Sequence, residues 1–322
     1  MDTDRLLDPS YELFLTEPTR LWTRETLASI RDHIHNDYPS ADTTHGQQQW
    51  TEGDGACPPV RLCIHRPRSR PTQNPPLPAI LYIHGGGFVL GCPEMADDYL
   101  AGLADDLKVV VVAVDYRLAP EHPFPAPLED CYRALTWMCL NSASQGIDEH
   151  RIVIMGHSAG GGLAAALALL ARDREQHKAA GLVMIYPMLD HRTGSASSPM
   201  NNPTTGRLSW SRAANHFCWQ CMQGGYETND ERAYLLSPSL APHLEGLPPS
   251  FIGVGALDLF LEENVEFGVK LSRSGVPVEM HVYPGVPHMF DQYPGAVTEQ
   301  SKNDVRTALE KMLHVAVATE EA

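Results

Sequence analysis

A serine, an aspartate and a histidine spread along the chain have the types and order needed for nucleophilic acyl transfer. Residues 151–162 read RIVIMGHSAGGG. An apolar run enters Gly156-His157-Ser158-Ala159-Gly160, and an Ala/Leu-rich segment leaves it. This places G-x-S-x-G in a strand–turn–helix setting. Such a turn strains the serine, and it closes only if the residues two before and two after lack a Cβ. The Ser158 hydroxyl then projects beyond the carboxyl end of the sheet. It sits at a helix N-terminus, which favours developing negative charge.

A serine hydroxyl is a weak nucleophile until a base takes its proton. In a fold entered this way, the acid and then the histidine follow the serine in chain order, each just after a later strand. Residues 251–255 form such a strand, and Asp258 follows it. Residues 278–283 form the next, and Pro284-Gly285-Val286-Pro287-His288 follows. His288 is thus the expected general base toward Ser158 and general acid toward the leaving group. Asp258 is expected to fix its tautomer and stabilise the imidazolium, and activity should fall as falling pH protonates His288. Glu262, Glu263 and Asp291 are rival acids. The first two belong to the first turn of a helix, where carboxylates favour the dipole without catalysis. Of 15 histidines, only His288 has this placement. His157, inside the turn, is expected to point elsewhere.

A second motif, His84-Gly85-Gly86-Gly87-Phe88, ends the predicted strand 79–84. Three consecutive glycines would destabilise any regular element. They let backbone N–H groups approach a tetrahedral oxyanion closely, with the N–H of Ala159 as a further donor. His84 is expected to organise the loop by hydrogen bonding.

The elements that must position these groups are legible as alternating patterns. Short Val/Ile-rich runs at 60–65, 79–84, 109–115, 151–156, 181–186, 251–255 and 278–283 predict strands. Most are apolar without alternation, as in a parallel sheet buried on both faces. Helix-compatible segments at 95–107, 128–140, 159–172, 261–274 and 297–318 predict βαβ units in an α/β fold. The interval from His191 to about Pro238 holds no good strand. It carries Trp210, Phe217, Trp219 and Tyr226 and reads as a helical insertion. With the mixed-polar N-terminal stretch, anchored by Tyr11, Phe14, Leu15 and Trp22, it could form a cap. Residues 1–55 and 191–236 are therefore assigned to the cap, and 56–190 and 237–322 to the core. Phe88, Trp210 and Phe217 are candidate substrate contacts.

Composition narrows the function classes. The chain has 322 residues, 43% of them hydrophobic, and a formal net charge of −16. That size suits one large α/β domain with an insertion. The acidic surface disfavours nucleic acid and electrostatic membrane docking. Neither a signal-peptide pattern nor an apolar run of spanning length is visible. Seven scattered cysteines suit a reducing compartment, and a cytoplasmic location is expected. Cys218-Trp219-Gln220-Cys221 reads as two apolar helix positions, since no second ligand pair accompanies it.

HGGGF at 84–88, DYRLAPEHPFPA at 115–126, GHSAGGG at 156–162, GALDLF at 255–260 and YPGVPHMF at 283–290 together resemble the hormone-sensitive-lipase-like family of esterases, including its bacterial carboxylesterases and acetyl esterases. The resemblance implies an α/β-hydrolase fold with about eight mostly parallel strands, helices on both faces, a helical cap and no cofactor. It implies oxyanion donors at Gly86, Gly87 and Ala159. The segment 115–126 looks structural in the family, with Arg117 and Glu121 as a candidate buried pair. Two departures stand out: many relatives have Asp where this chain has His157, and Gly where it has Met289.

The leading expectation is a serine esterase for short- to medium-chain carboxylic esters, acting through an acyl-enzyme on a small-molecule substrate. Amide or formamide hydrolysis on the same machinery is an alternative, as in arylacetamide deacetylase-like members. A non-catalytic small-molecule receptor is a third, although such receptors lack a working catalytic histidine. No large amphipathic stripe suits an oil surface. The strand at 278–283 could form a sheet edge that pairs in a homodimer.

Overall fold

The computed structural model describes residues 3–16, 21–39, 46–53, 55, 57–69 and 75–318. Eight strands form one sheet: β1 (Gln47–Trp50), β2 (Arg61–His65), β3 (Leu77–Ile83), β4 (Val110–Asp115), β5 (Ile147–His157), β6 (Gly181–Ile185), β7 (Ser250–Gly255) and β8 (Val278–Tyr283). Their spatial order is β1-β2-β4-β3-β5-β6-β7-β8. The β1–β2 and β2–β4 pairs are antiparallel, and all others are parallel.

The central strands are buried on both faces, which is why they lack alternation. Along β3, Ala79, Leu81 and Ile83 pack into one apolar core, and Ile80 and Tyr82 into another. The first core is covered by α3 (Ala126–Leu140), α5 (Ala159–Arg174) and α7 (Leu261–Arg273), the second by α2 (Asp97–Leu107) and α8 (Ala296–Ala318). A short helix, α4 (Ser142–Gln145), precedes β5. Every residue from Ala159 to Ala171 is buried, so α5 is a core helix with no solvent stripe.

Several elements depart from the sequence reading. β1 was unforeseen: Gln47-Gln48-Gln49-Trp50 carries no apolar signal, and it forms an edge whose backbone pairs with β2. The helix expected from residue 95 begins as a 3-10 turn, Pro93–Ala96, before α2. The insertion holds one regular helix, α6 (Arg212–Gln223), with 3-10 turns at Ala233–Leu235 and Pro238–Leu240. Cys218 and Cys221 are free and buried on α6.

In the N-terminal stretch, the helix α1 (Arg24–Asp37) starts at a capping box between Thr23 and Thr26. Trp22 packs on Trp210 at 5.2 Å and on Phe217 at 6.4 Å. The Arg31 guanidinium donates to the Val89 and Ala119 carbonyls and to Glu121. Tyr11 and Phe14 are buried as expected, but Leu15 is exposed. The Arg117–Glu121 pair does not form. Arg117 instead donates from its backbone N–H and guanidinium to fully buried Asp130 on α3, while exposed Glu121 pairs with Arg31. The loop folds back on α3, so the partner lies thirteen residues away.

Candidate active site

Ser158 connects β5 to α5 with φ 55° and ψ −120°. That conformation is strained for a residue with a side chain. The glycine requirement is steric. A Cβ on Gly156 would stand 2.2 Å from the Gly160 carbonyl oxygen, and one on Gly160 would stand 2.1 Å from that of Ile83. The Ser158 N–H donates to the Ile185 carbonyl, and the Ser158 carbonyl accepts from Gly162 and Met188. The turn is thus anchored to β6, to the segment after it and to its own helix.

Asp258 follows β7 and His288 follows β8, so three loops at the carboxyl end of the sheet converge. Ser158 Oγ lies 2.9 Å from His288 Nε2. His288 Nδ1 lies 2.7 Å from Asp258 Oδ2. Asp258 Oδ1 accepts the Phe260 N–H at 2.9 Å. A carboxylate can only accept, so Nδ1 carries the proton and Nε2 offers its lone pair to the serine hydroxyl. All three residues are buried, which strengthens each electrostatic contact. The imidazole is framed by Tyr186 at 4.5 Å, Phe260 at 5.0 Å and Trp210 at 5.9 Å.

Gly86 and Gly87 have φ 117° and 60° and line the same cavity as Ser158. Among the described residues, no acceptor takes their N–H groups. Ala159 opens α5, where the first N–H groups have no partner within the helix. The Gly86 carbonyl accepts from Val89 and Leu90, which curls the loop. Buried His84 braces that loop: Nδ1 contacts the Gly85 carbonyl at 2.7 Å, and the ring stacks on Tyr116 at 4.2 Å. Burial pushes the His84 imidazole pKa down, so it stays neutral, which suits a structural role.

The cavity over the serine holds about 870 Å³. Trp22, Leu90 and Trp210 contribute an apolar part of its wall. Of the candidate substrate contacts, Trp210 lines the cavity. Phe88 is buried against Trp219 at 4.9 Å, and Phe217 packs beside Trp22, outside the lining. Met289 also lines the cavity and has φ 64°, a left-handed conformation that a glycine would adopt without strain.

The rival carboxylates go elsewhere. Glu263 is buried on α7, accepts the Leu189 N–H at 2.7 Å and contacts Thr193. Burial pushes its carboxyl well above the usual range. Asp291 accepts the Tyr186 hydroxyl at 2.6 Å and lies 3.4 Å from His157 Nε2. The His157–Asp291 pairing, between residues more than a hundred positions apart, leaves no signal in the sequence. Tyr186, at φ 36°, carried no signal beyond ending an apolar run.

Comparison with known proteins agrees with this geometry. A family model described as alpha/beta hydrolase fold matches residues 80–292. Esterase LipI of Mycobacterium tuberculosis is 33% identical over 265 residues, covering 81% of each chain. Ethyl acetate hydrolase of Pseudomonas putida is 33% identical over 81% of this chain and 80% of its own. Among solved structures, a bacterial heroin esterase superposes with a TM-score of 0.86 at 31% identity, covering 97% of this chain and 99% of that one. With the strained serine turn, the glycine loop and the shared sheet in place, the chain belongs to the α/β-hydrolase family, in its hormone-sensitive-lipase-like branch of bacterial carboxylesterases.

Proposed function

We propose that this protein is a serine carboxylic ester hydrolase acting on short- to medium-chain esters through Ser158, His288 and Asp258. The observation that carries the reading is the continuous hydrogen-bonded line from Ser158 Oγ through His288 to Asp258, opening on a cavity of about 870 Å³. A receptor on this fold would have no use for that line.

In the first half-reaction, Ser158 Oγ attacks the ester carbonyl carbon and its proton moves to His288 Nε2. The carbonyl oxygen becomes an oxyanion held by the N–H groups of Gly86, Gly87 and Ala159. Collapse breaks the bond to the alcohol oxygen, which takes the proton from His288 and leaves an acyl-serine. Water then attacks the acyl carbon with His288 again as base, and the acid and free Ser158 are released. Asp258 accepts from His288 Nδ1 throughout and holds the imidazolium in register.

The cavity volume lies within the range of small-molecule sites, which suits a compact ester. Trp22, just before α1, packs on Trp210, just before α6, and on Phe217 of α6. We read the segment up to the end of α1, with residues 191–236, as a cap over the core, while β1 within the expected span 1–55 joins the sheet instead. No described helix is long and apolar enough to cross a membrane. A cytoplasmic enzyme without cofactor is our reading, with β8 at the sheet edge available to pair with a second copy.

The test is turnover of p-nitrophenyl esters from acetate to palmitate by wild type and Ser158→Ala, with fluorophosphonate labelling alongside. Activity peaking at short chains, and abolished with labelling in the variant, is expected. A folded, unlabelled wild type inert toward every ester would overturn the proposal. Faster cleavage of matched amides would shift it to amide hydrolysis.

A further inference from the structure

The wall of the cavity is of two kinds. Beside the apolar part formed by Trp22, Leu90 and Trp210 lies a part built from tyrosines and one carboxylate. The rings of Tyr82, Tyr99 and Tyr186 stand 5.6, 5.9 and 5.7 Å from the His157 ring. Asp291 closes the group: Oδ1 accepts the Tyr186 hydroxyl, and Oδ2 faces His157 Nε2 at 3.4 Å. The Asp291 side chain is 14% exposed and lines the cavity.

The triad does not require this carboxylate, since Asp258 already holds His288. Burial acts against the charge of Asp291, but contacts with His157 and Tyr186 and the nearby His288 hold its carboxyl below the ordinary aspartate range. It is therefore an anion on the cavity wall, bonded to Tyr186 and facing His157, with three tyrosine rings packed around that histidine and lining the same cavity; aromatic rings attract organic cations. Arg207 and Lys302 also line the cavity. Both are about half exposed, and each stands beside its own carboxylate, Asp4 and Glu299. The net charge of −16 adds a general attraction for cations.

We propose that Asp291, with Tyr82, Tyr99 and Tyr186, forms a subsite for an ammonium group on the substrate, so that the preferred esters are those with a cationic nitrogen. The proposal rests on the ester-hydrolase reading above and assigns that enzyme a substrate class.

The experiment compares acetylcholine with 3,3-dimethylbutyl acetate, which have nearly the same shape and differ in charge. Wild type should favour the cationic ester about tenfold in kcat/KM, equivalent to about 1.4 kcal/mol. Asp291→Asn keeps the size and an acceptor for Tyr186, and should bring the ratio close to one. Tyr99→Leu should lower it in part. A wild-type ratio at or below one overturns the proposal. So does an unchanged ratio in a folded Asp291→Asn protein.

If Asp291→Asn does not fold, inhibition of wild-type p-nitrophenyl acetate turnover decides. Choline should inhibit at lower concentration than 3,3-dimethylbutanol, and equal inhibition overturns the subsite. If wild type hydrolyses none of these esters, the ester-hydrolase reading fails by itself. The subsite is then judged by thermal shift: choline alone raising Tm supports it, and equal effects of choline and the neutral alcohol overturn it.

Discussion

Replacing Gly86 by alanine tests the proposed oxyanion loop separately from the other proposed catalytic groups. A Cβ at this position would lie 2.0 Å from the Leu90 carbonyl oxygen and 2.8 Å from its carbon, on a backbone with φ 117°. Real Cβ contacts essentially never fall under 3.0 Å, so the loop must open by roughly 1 Å, well beyond what a preorganised donor tolerates. The opposing atom is main chain, so no side-chain rotation relieves the clash. Opening also disturbs the bonds from the Val89 and Leu90 N–H groups to the Gly86 carbonyl, both 3.1 Å. If the Gly86 N–H then misses the oxyanion, the expected loss is about 3–4 kcal/mol, or roughly 10²–10³ in kcat. KM should change little, because the contact forms chiefly in the transition state.

Backbone strain alone is controlled by Gly275→Ala. Gly275 has φ 73° but nothing within 4 Å of an added Cβ, and it lies in the turn between α7 and β8. That variant should lose about 1–3 kcal/mol of stability and keep its kcat. Both are assayed with p-nitrophenyl acetate beside thermal unfolding and active-site titration. A Gly86→Ala enzyme whose kcat stays within about threefold of wild type would refute the assignment of Gly86 as a donor.

Other outcomes follow from the same geometry. Asp258→Asn lets an amide N–H face His288 Nδ1, which drives the proton to Nε2, where it opposes Ser158 Oγ. A loss of about 10⁴ in kcat is expected, and a loss under tenfold in ester turnover would move the acid role elsewhere. Glu94→Gln leaves the Arg61 guanidinium, now 2.5 Å from Glu94 and 2.8 Å from Asp115, short of one buried charge. Thermal unfolding at pH 7 should show a loss of about 3 kcal/mol, and an unchanged Tm would count against it. Burial opposes the Glu94 charge, but Arg61 holds the carboxyl below its ordinary 4.5. The stabilisation is therefore present above that value and lost as the pH falls through the lower folded value, so the variant's deficit should narrow at pH 4.

The strand–turn–helix around Ser158 was legible because its demands are local. Glycines two residues either side of the serine, an apolar run before and an Ala-rich run after leave few alternatives. The same holds for HGGGF and for the central strands, whose unbroken Val and Ile report burial on both faces. β1 was not legible, since an edge strand of three glutamines and a tryptophan is held by the backbone of β2 and leaves no apolar trace. Glu263 read as a dipole-favouring first-turn carboxylate, and it is indeed in that turn. Its burial against Leu189 and Thr193 depends on a segment about seventy residues away.

Local sequence was enough for the sheet class, the order of the serine, aspartate and histidine, and the glycine loop beside them. Each of these is written in short-range steric and periodic constraints. Which side chains meet above the sheet is set by long-range packing. Arg117 found Asp130, Arg31 found Glu121, and Asp291 joined Tyr186 and His157 across more than a hundred residues. Such partnerships depend on how separate loops pack at one end of the sheet. Periodicity along any single element carries the burial of a residue, but not the identity of what it is buried against.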